Sequence, residues 1–236
     1  MSAPRGILVT GTDTGIGKTV VASALCAAMK SRGHDVRALK PVESGTNEND
    51  GVPADASLLA ACAGMGSWQE ANVVALAEPL APVVAAELES ASLDLEAMDA
   101  RVAELRSQGP LVVEGVGGAL VEVVPGTTVA DLAGRWDLAV LVVAGNRLGV
   151  LNHTLLTIEA LLSRGAVVAG VVINTLHPGD PTVAERTNAA ELERLLDPQV
   201  RVLGRMPWVE PERLADPEAL GTLAGWLPGR LLPFFG

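Results

Sequence analysis

The stretch GTDTGIGKT, residues 11 to 19, follows the short apolar run GILVT and opens a helical pattern. Its glycines let successive backbone N–H groups wrap a polyanion, and the helix start behind them adds partial positive charge. Gly-Lys-Thr at such a junction marks a P-loop, in which Lys18 reaches the terminal phosphates and the Thr19 hydroxyl binds magnesium. The spacing is unusual in one respect. The position where a P-loop ordinarily carries its first glycine is Thr12, and Gly11 stands one residue earlier.

Lysine is rare in this chain. Of seventeen basic residues only Lys18, Lys30 and Lys40 are lysines, and Lys40 lies in RALKPVESG, at the end of a predicted strand. That strand end points to the same sheet edge as the P-loop, so two of the three lysines are expected at one site; a surface lysine with a snorkelling stem is the alternative. Two like charges a few ångströms apart repel by about 4 kcal/mol at an effective dielectric of about 20, so they are tolerable only around a polyanion. A compact ammonium on a flexible stem can follow a migrating phosphoryl group and a small carboxylate-like acceptor better than a planar guanidinium. The chemistry suggested is phosphoryl transfer to an anionic acceptor.

Magnesium bound with a nucleotide takes oxygen ligands, so carboxylates are needed nearby. Glu114 ends the buried run LVVE, where P-loop proteins place their second acidic motif, although a solvated strand-end glutamate would look the same. Asp50 and Asp55 are further candidates, and Asp55 also suits the N-cap of the helix it opens. Guanine-reading N-K-x-D is absent, so adenine is the expected base. Asn174, closing VVIN, is placed either to face a purine edge or to make a turn.

The elements that must position these groups alternate. Strands are predicted at 6–11, 35–40, 111–116, 138–145, 166–174 and 200–206, and helices at 18–32, 55–64, 95–108, 150–164, 182–196 and near 216–227. Near-continuous hydrophobicity of the strands implies cover on both faces, hence a doubly wound α/β domain, a mostly parallel sheet of the P-loop NTPase type, spanning residues 1–236. Ligands in such sheets sit beyond the carboxyl ends of the strands. Residues 41–54, polar and rich in Gly and Pro, read as a mobile active-site loop.

Composition narrows the function classes. The chain has 49% hydrophobic and 19% charged residues with a formal net charge of −11, which suits a globular enzyme and argues against nucleic acid or an acidic membrane surface as partner. Cys26 and Cys62, without metal-ligand spacing, read as buried thiols in a reducing compartment. No signal peptide is expected before Gly11 and no run is long enough to span a bilayer, so a soluble, cytoplasmic protein is expected. HExxH and GxSxG are missing, and His34, His153 and His177 are scattered, which disfavours zinc protease and esterase chemistry.

GTDTGIGKT, KPVESG, ADA (54–56), VEGVGG (113–118), GNRLGVLNHTLLT (145–157), GVVIN (170–174) and MPW (206–208) together resemble the dethiobiotin synthetase family in order and approximate spacing over nearly the whole chain. The resemblance implies ATP-dependent ring closure of diaminopelargonic acid with carbon dioxide or bicarbonate, through a carbamate and a carbamic-phosphoric anhydride, in a homodimer. It implies a nucleotide site of Asp13, Thr14, Gly15, Ile16, Gly17, Lys18, Thr19 and Val20, with Asn174 and Pro207 at the adenine. Lys18, Lys40 and Thr14 are implied as catalytic contacts, Thr19, Asp55 and Glu114 as the Mg2+ shell, and Lys40 and Ser44 as substrate contacts. Gly149, Val150, Leu151 and Asn152 are implied as the helix start that receives the distal carboxylate across the dimer interface. Some relatives carry glutamate where this chain has Gly15, so that contact is missing here.

Regulatory P-loop ATPases of the partitioning and division-site type share the expected sheet. Their additional lysine early in the loop would fall at Asp13, a carboxylate. Amide-forming synthetases of cobalamin assembly need a glutaminase domain, which is not expected of this sequence.

Overall fold

Branched apolar runs without polar alternation become strands covered on both faces. In the computed structural model, which describes residues 5–46 and 50–235, the chain forms β1 (Ile7–Gly11), β2 (Arg37–Ser44), β3 (Asn72–Leu76) and β4 (Leu111–Glu114). A hairpin of β5 (Glu122–Val124) and β6 (Thr127–Thr128) follows, then β7 (Ala139–Gly145), β8 (Val168–Asn174) and β9 (Val202–Met206). Outside the hairpin, seven strands make one parallel sheet in the order β3-β2-β4-β1-β7-β8-β9. The helices are α1 (Lys18–Lys30), α2 (Ala54–Ala63), α3 (Pro82–Glu89), α4 (Leu95–Gln108), α5 (Val129–Arg135), α6 (Val150–Leu162) and α7 (Val183–Leu195). Three short ones close the chain: α8 (Pro211–Leu214), α9 (Pro217–Leu223) and α10 (Pro228–Leu231).

Alternation along each strand divides the core between two faces. Ile7, Val9, Leu141 and Val143 pack with Val21, Leu25 and Met29 of α1, Leu59 of α2 and Leu220 of α9. Leu8, Leu39, Val140 and Val142 pack on the other face with Met98 and Val102 of α4, Leu132 of α5, Ile158 of α6 and Leu192 of α7. Cys26 and Cys62 are free thiols buried in the first layer, and burial pushes the Cys62 thiol up to about 12. Among the described residues no helix is long and apolar enough to cross a membrane.

The doubly wound architecture agrees with the sequence reading, and several boundaries do not. β2 does not stop at Lys40 but continues through Pro41 to Ser44, so the expected loop 41–54 loses its first four residues to the sheet. Pairing with β4 ends at Leu39↔Val113 and pairing with β3 starts at Lys40↔Asn72, and a proline without an N–H is tolerated beside this change of partner. Part of the expected loop, 47–49, lies outside the described residues. The expected helix near 216–227 is capped by Asp216 and ends earlier, at Leu223. Elements not anticipated are edge strand β3, α3, the β5–β6 hairpin, α5 and the short α8 and α10. All are eight residues or shorter, too short to establish a period, though α5 carries a legible capping box in Thr128 and Asp131.

Gly109, between α4 and β4, marks the closest backbone approach that any side chain would disturb. A Cβ there would stand 2.0 Å from the Asp35 carbonyl oxygen, which belongs to the segment leading into β2. Gly109→Ala must push these two segments apart. A loss of about 1–3 kcal/mol of stability is expected, read as a lower urea midpoint with an unchanged m-value.

Candidate active site

Strand β1 delivers the P-loop to the carboxyl edge of the sheet and α1 starts behind it. Gly15 and Gly17 both take left-handed backbone, with φ of +70° and +85°. Gly17 is the N-cap of α1, and no side chain caps that helix. The requirement for glycine at 17 is steric as well as conformational, because a Cβ would stand 2.1 Å from Asn174 Nδ2. That amide nitrogen donates to the Ile16 carbonyl at 2.9 Å, so β8 braces the loop from across the sheet. Lys18 Nζ arcs back to donate to the Asp13 carbonyl at 2.9 Å. Asp13 accepts the Thr14 N–H at 2.8 Å and pairs with Arg147 at 2.6 Å; the Thr14 hydrogen bond and then the guanidinium hold its carboxyl below the usual range.

Strand order sets the second half of the site. β4 lies between β1 and β2, with Val9↔Glu114 and Leu39↔Val113 in register, so Glu114 and Lys40 end side by side. Lys40 Nζ donates to Glu114 Oε1 at 2.6 Å and to Asp55 Oδ2 at 2.8 Å. Thr19 Oγ1 donates to the same Glu114 Oε1 at 2.9 Å. Burial works against the Lys40 ammonium, but the Glu114 and Asp55 carboxylates outweigh it and raise its pKa. Burial likewise pushes Asp55 up, and the Lys40 charge more than reverses it, so this carboxyl lies low. Lys18 differs: burial lowers it to about 8, with Lys40 adding repulsion and the carboxylates opposing.

These groups line one cleft of about 480 Å³. Thr14, Gly15, Gly17, Lys18, Thr19, Val20, Lys40, Ser44, Asp55 and Glu114, all singled out in the sequence, face it. Asp13, paired with Arg147, does not line it but faces a neighbouring cleft of about 420 Å³ together with Thr14, and Ile16 is buried. Gly149, Val150, Leu151 and Asn152 do not line this cleft; Gly149 is the left-handed N-cap of α6, at the end of β7. Pro207 lines a second cleft of about 430 Å³, with Asn146, Thr175, His177 and Glu210. Asp50 sits in a turn at φ +52° and is not part of either wall. Missed by sequence reasoning was Glu43, a buried carboxylate in the main cleft. It stands three residues after Lys40, an interval that puts two side chains on opposite faces of a regular strand.

Among the described residues no group of three or more His, Cys, Asp and Glu is arranged to hold a metal by protein ligands alone. The donor set nevertheless fits a hard cation that keeps phosphate and water ligands: a threonine hydroxyl and two carboxylates, with no nitrogen or sulfur. Glu114 supplies the sharper test. Its Oε1 is engaged, whereas its Oε2 is buried with no hydrogen-bond partner, and burial raises this carboxyl to about 7 against the pull of Lys40. A buried carboxylate oxygen without a donor calls for a cation or a proton.

A family model described as an AAA domain matches residues 5–213. The ATP-dependent dethiobiotin synthetase BioD of Anaeromyxobacter dehalogenans is 42% identical over 94% of this chain and 97% of its own length. That of Mycolicibacterium gilvum is 40% identical over 93% and 89%, and that of Haloferax mediterranei 37% over 86% and 85%. In structure the chain is similar to the MinD cell division protein of Aquifex aeolicus, with a TM-score of 0.55, 13% identity and 97% coverage of both chains. It is also similar to a ParA family ATPase of Chlorobium tepidum, with a TM-score of 0.54, 12% identity and coverage of 95% and 92%. At such identities the structural likeness speaks for the fold alone. The sequence likeness, at roughly two residues in five over almost the full length of both partners, shows that the chain belongs to the ATP-dependent dethiobiotin synthetase family.

Proposed function

We propose that this protein closes the ureido ring of dethiobiotin from diaminopelargonic acid, carbon dioxide or bicarbonate, and ATP. The observation that carries the reading is the meeting of Lys18, Lys40, Thr19, Asp55 and Glu114 in one cleft at the mouth of the P-loop. One amine of the substrate adds to carbon dioxide and loses a proton, giving a carbamate. A carbamate oxygen attacks the γ-phosphorus and ADP leaves, giving a carbamic-phosphoric anhydride. The second amine attacks its carbonyl carbon, phosphate leaves with the C–O bonding pair, and loss of the amine proton completes the cyclic urea.

The residues divide this work. The P-loop amides and Lys18 hold the phosphates, Thr14 adds a hydroxyl contact, and Lys40 faces the carbamate and the transferred phosphoryl group. Ser44 meets the substrate beside Lys40. Thr19, Asp55 and Glu114 would hold Mg2+, which when bound neutralises charge on the phosphates. Asn174 and the cleft around Pro207 suit the adenine, with the Asn174 amide nitrogen already committed to Ile16. The two buried free thiols support a reducing, cytoplasmic setting.

A homodimer accounts for the helix start at 149–152, which lies outside the cleft of its own chain. Beside it Leu148 is 86% exposed, and Leu120 and Leu156, which share a cleft with Asp13, are more than half exposed, apolar surface suited to a second copy. In such a pair the α6 N-terminus of one copy receives the distal carboxylate of substrate bound to the other.

ADP release should require diaminopelargonic acid and bicarbonate together; hydrolysis of ATP at the same rate without them would indicate a regulatory ATPase instead. Lys18→Ala and Lys40→Ala should each lower turnover per folded molecule by about 100- to 1,000-fold, roughly 3–4 kcal/mol of transition-state stabilisation, and near-normal turnover of Lys40→Ala would remove it from the mechanism. Sedimentation equilibrium should give a dimer that Leu148→Asp dissociates with loss of activity. A fully active monomer would overturn the shared site.

A further inference from the structure

Helix α2 carries Asp55 in its first turn, yet it has no cap of its own. Its N-cap is Pro53, which offers no side-chain acceptor to the orphan amides of the helix start. Those amides are taken by Glu43, twelve residues earlier and on a different element. Glu43 Oε1 accepts the Asp55 N–H at 2.9 Å, and Oε2 accepts the Ala56 N–H at 2.9 Å. The carboxylate is only 6% exposed, a position that is costly unless both oxygens are satisfied and opposite partial charge is near. Two N–H donors at the positive end of a helix meet both conditions.

We infer that Glu43 is a positioning residue for Asp55, fixing the backbone from which that carboxylate reaches the centre of the cleft. Strand β2 grips one residue twice: Lys40 binds the Asp55 side chain at 2.8 Å, and Glu43 binds its main chain. The grip is possible because residues 40 and 43 line the same cleft, while Pro41 and Val42 between them both line a separate small cavity. Like-charge repulsion accompanies it. Burial and then the neighbouring Asp55 charge raise the Glu43 carboxyl, so the pair of acids is held together by the cap and by Lys40 rather than by any attraction between them. Glu43 lines the cleft, but each of its oxygens already accepts a backbone N–H, which sets it apart from Glu114 with its bare Oε2. The inference rests on the reading of Asp55 as part of the Mg2+ shell.

The test compares Glu43→Gln, Asp55→Asn and the double variant in the full chain. The Gln side chain keeps the volume and one acceptor but presents an NH2 group to one of the two helix amides. Two readouts are taken: the Mg2+ concentration giving half-maximal ADP release, and amide hydrogen exchange at Asp55 and Ala56 without nucleotide. Glu43→Gln should raise the Mg2+ requirement by about 10-fold, with kcat at saturating Mg2+ changed by less than about 3-fold, and should speed exchange at those two amides while the rest of α2 stays protected. In the Asp55→Asn background the added Mg2+ effect should vanish, since both changes act through one carboxylate. If Asp55→Asn raises the Mg2+ requirement and Glu43→Gln leaves both readouts at the parent values, or if the two effects are fully additive, the role of Glu43 is overturned. If Asp55→Asn itself leaves the Mg2+ titration unchanged, the assignment of Asp55 fails and the inference falls with it.

Discussion

The contact on which the site turns is the buried bridge from Lys40 to Glu114. Both side chains are almost wholly withdrawn from solvent, and removing either charge from water costs several kcal/mol that only close partners restore. Lys40 is answered by two carboxylates; Glu114 is answered by Lys40 and the Thr19 hydroxyl, and one of its oxygens still lacks a donor. The bridge is a consequence of strand order. With β4 inserted between β1 and β2, one glutamate at its end can touch both the helix behind the P-loop and the lysine of the next strand. Were β4 on the outer edge, the same residues would be present and would not meet.

The two lysines of the cleft occupy different electrostatic states. Lys40 is fixed between carboxylates that favour its charge, whereas burial leaves Lys18 titrating near 8, its head resting on a carbonyl of its own loop. With a pKa near 8 Lys18 is still mostly protonated at neutral pH, and an arriving polyphosphate would favour that charge further and draw its flexible stem outward. Lys40 needs no such recruitment. Lys40 is therefore already held by its carboxylates, whereas the Lys18 head is held by one carbonyl of its own loop.

Much of this could be read before any coordinates. The P-loop, Glu114 at a strand end and the rarity of lysine brought attention to the residues that line the cleft, and the long branched runs at 138–145 and 166–174 became β7 and β8 within two residues. What escaped was decided by contacts between distant segments. Extension of β2 past Pro41 depends on an edge strand of five residues with no period of its own, and Glu43 lines the cleft against the alternation of a regular strand, since Pro41 and Val42 share a separate cavity. Asn174 offered a purine edge or a turn on local grounds, and neither described its observed bond to Ile16, 158 positions away. The helix start at 149–152 was expected, from the family resemblance, to serve a site across a dimer interface, and it lies outside the cleft of its own chain.

That bond from Asn174 bears on how far the glycine-rich signature can be trusted as a unit. The loop and its lysine lie within the first nineteen residues, yet the amide that props Ile16 and forbids a side chain at Gly17 arrives only with β8. A fragment stopping short of β8, or a chimera grafting the loop onto another sheet, would carry every letter of the motif and lose its buttress. The shape of the glycine-rich loop is thus not a portable cassette but the joint property of two distant stretches of chain, and drift at either would be felt at the other.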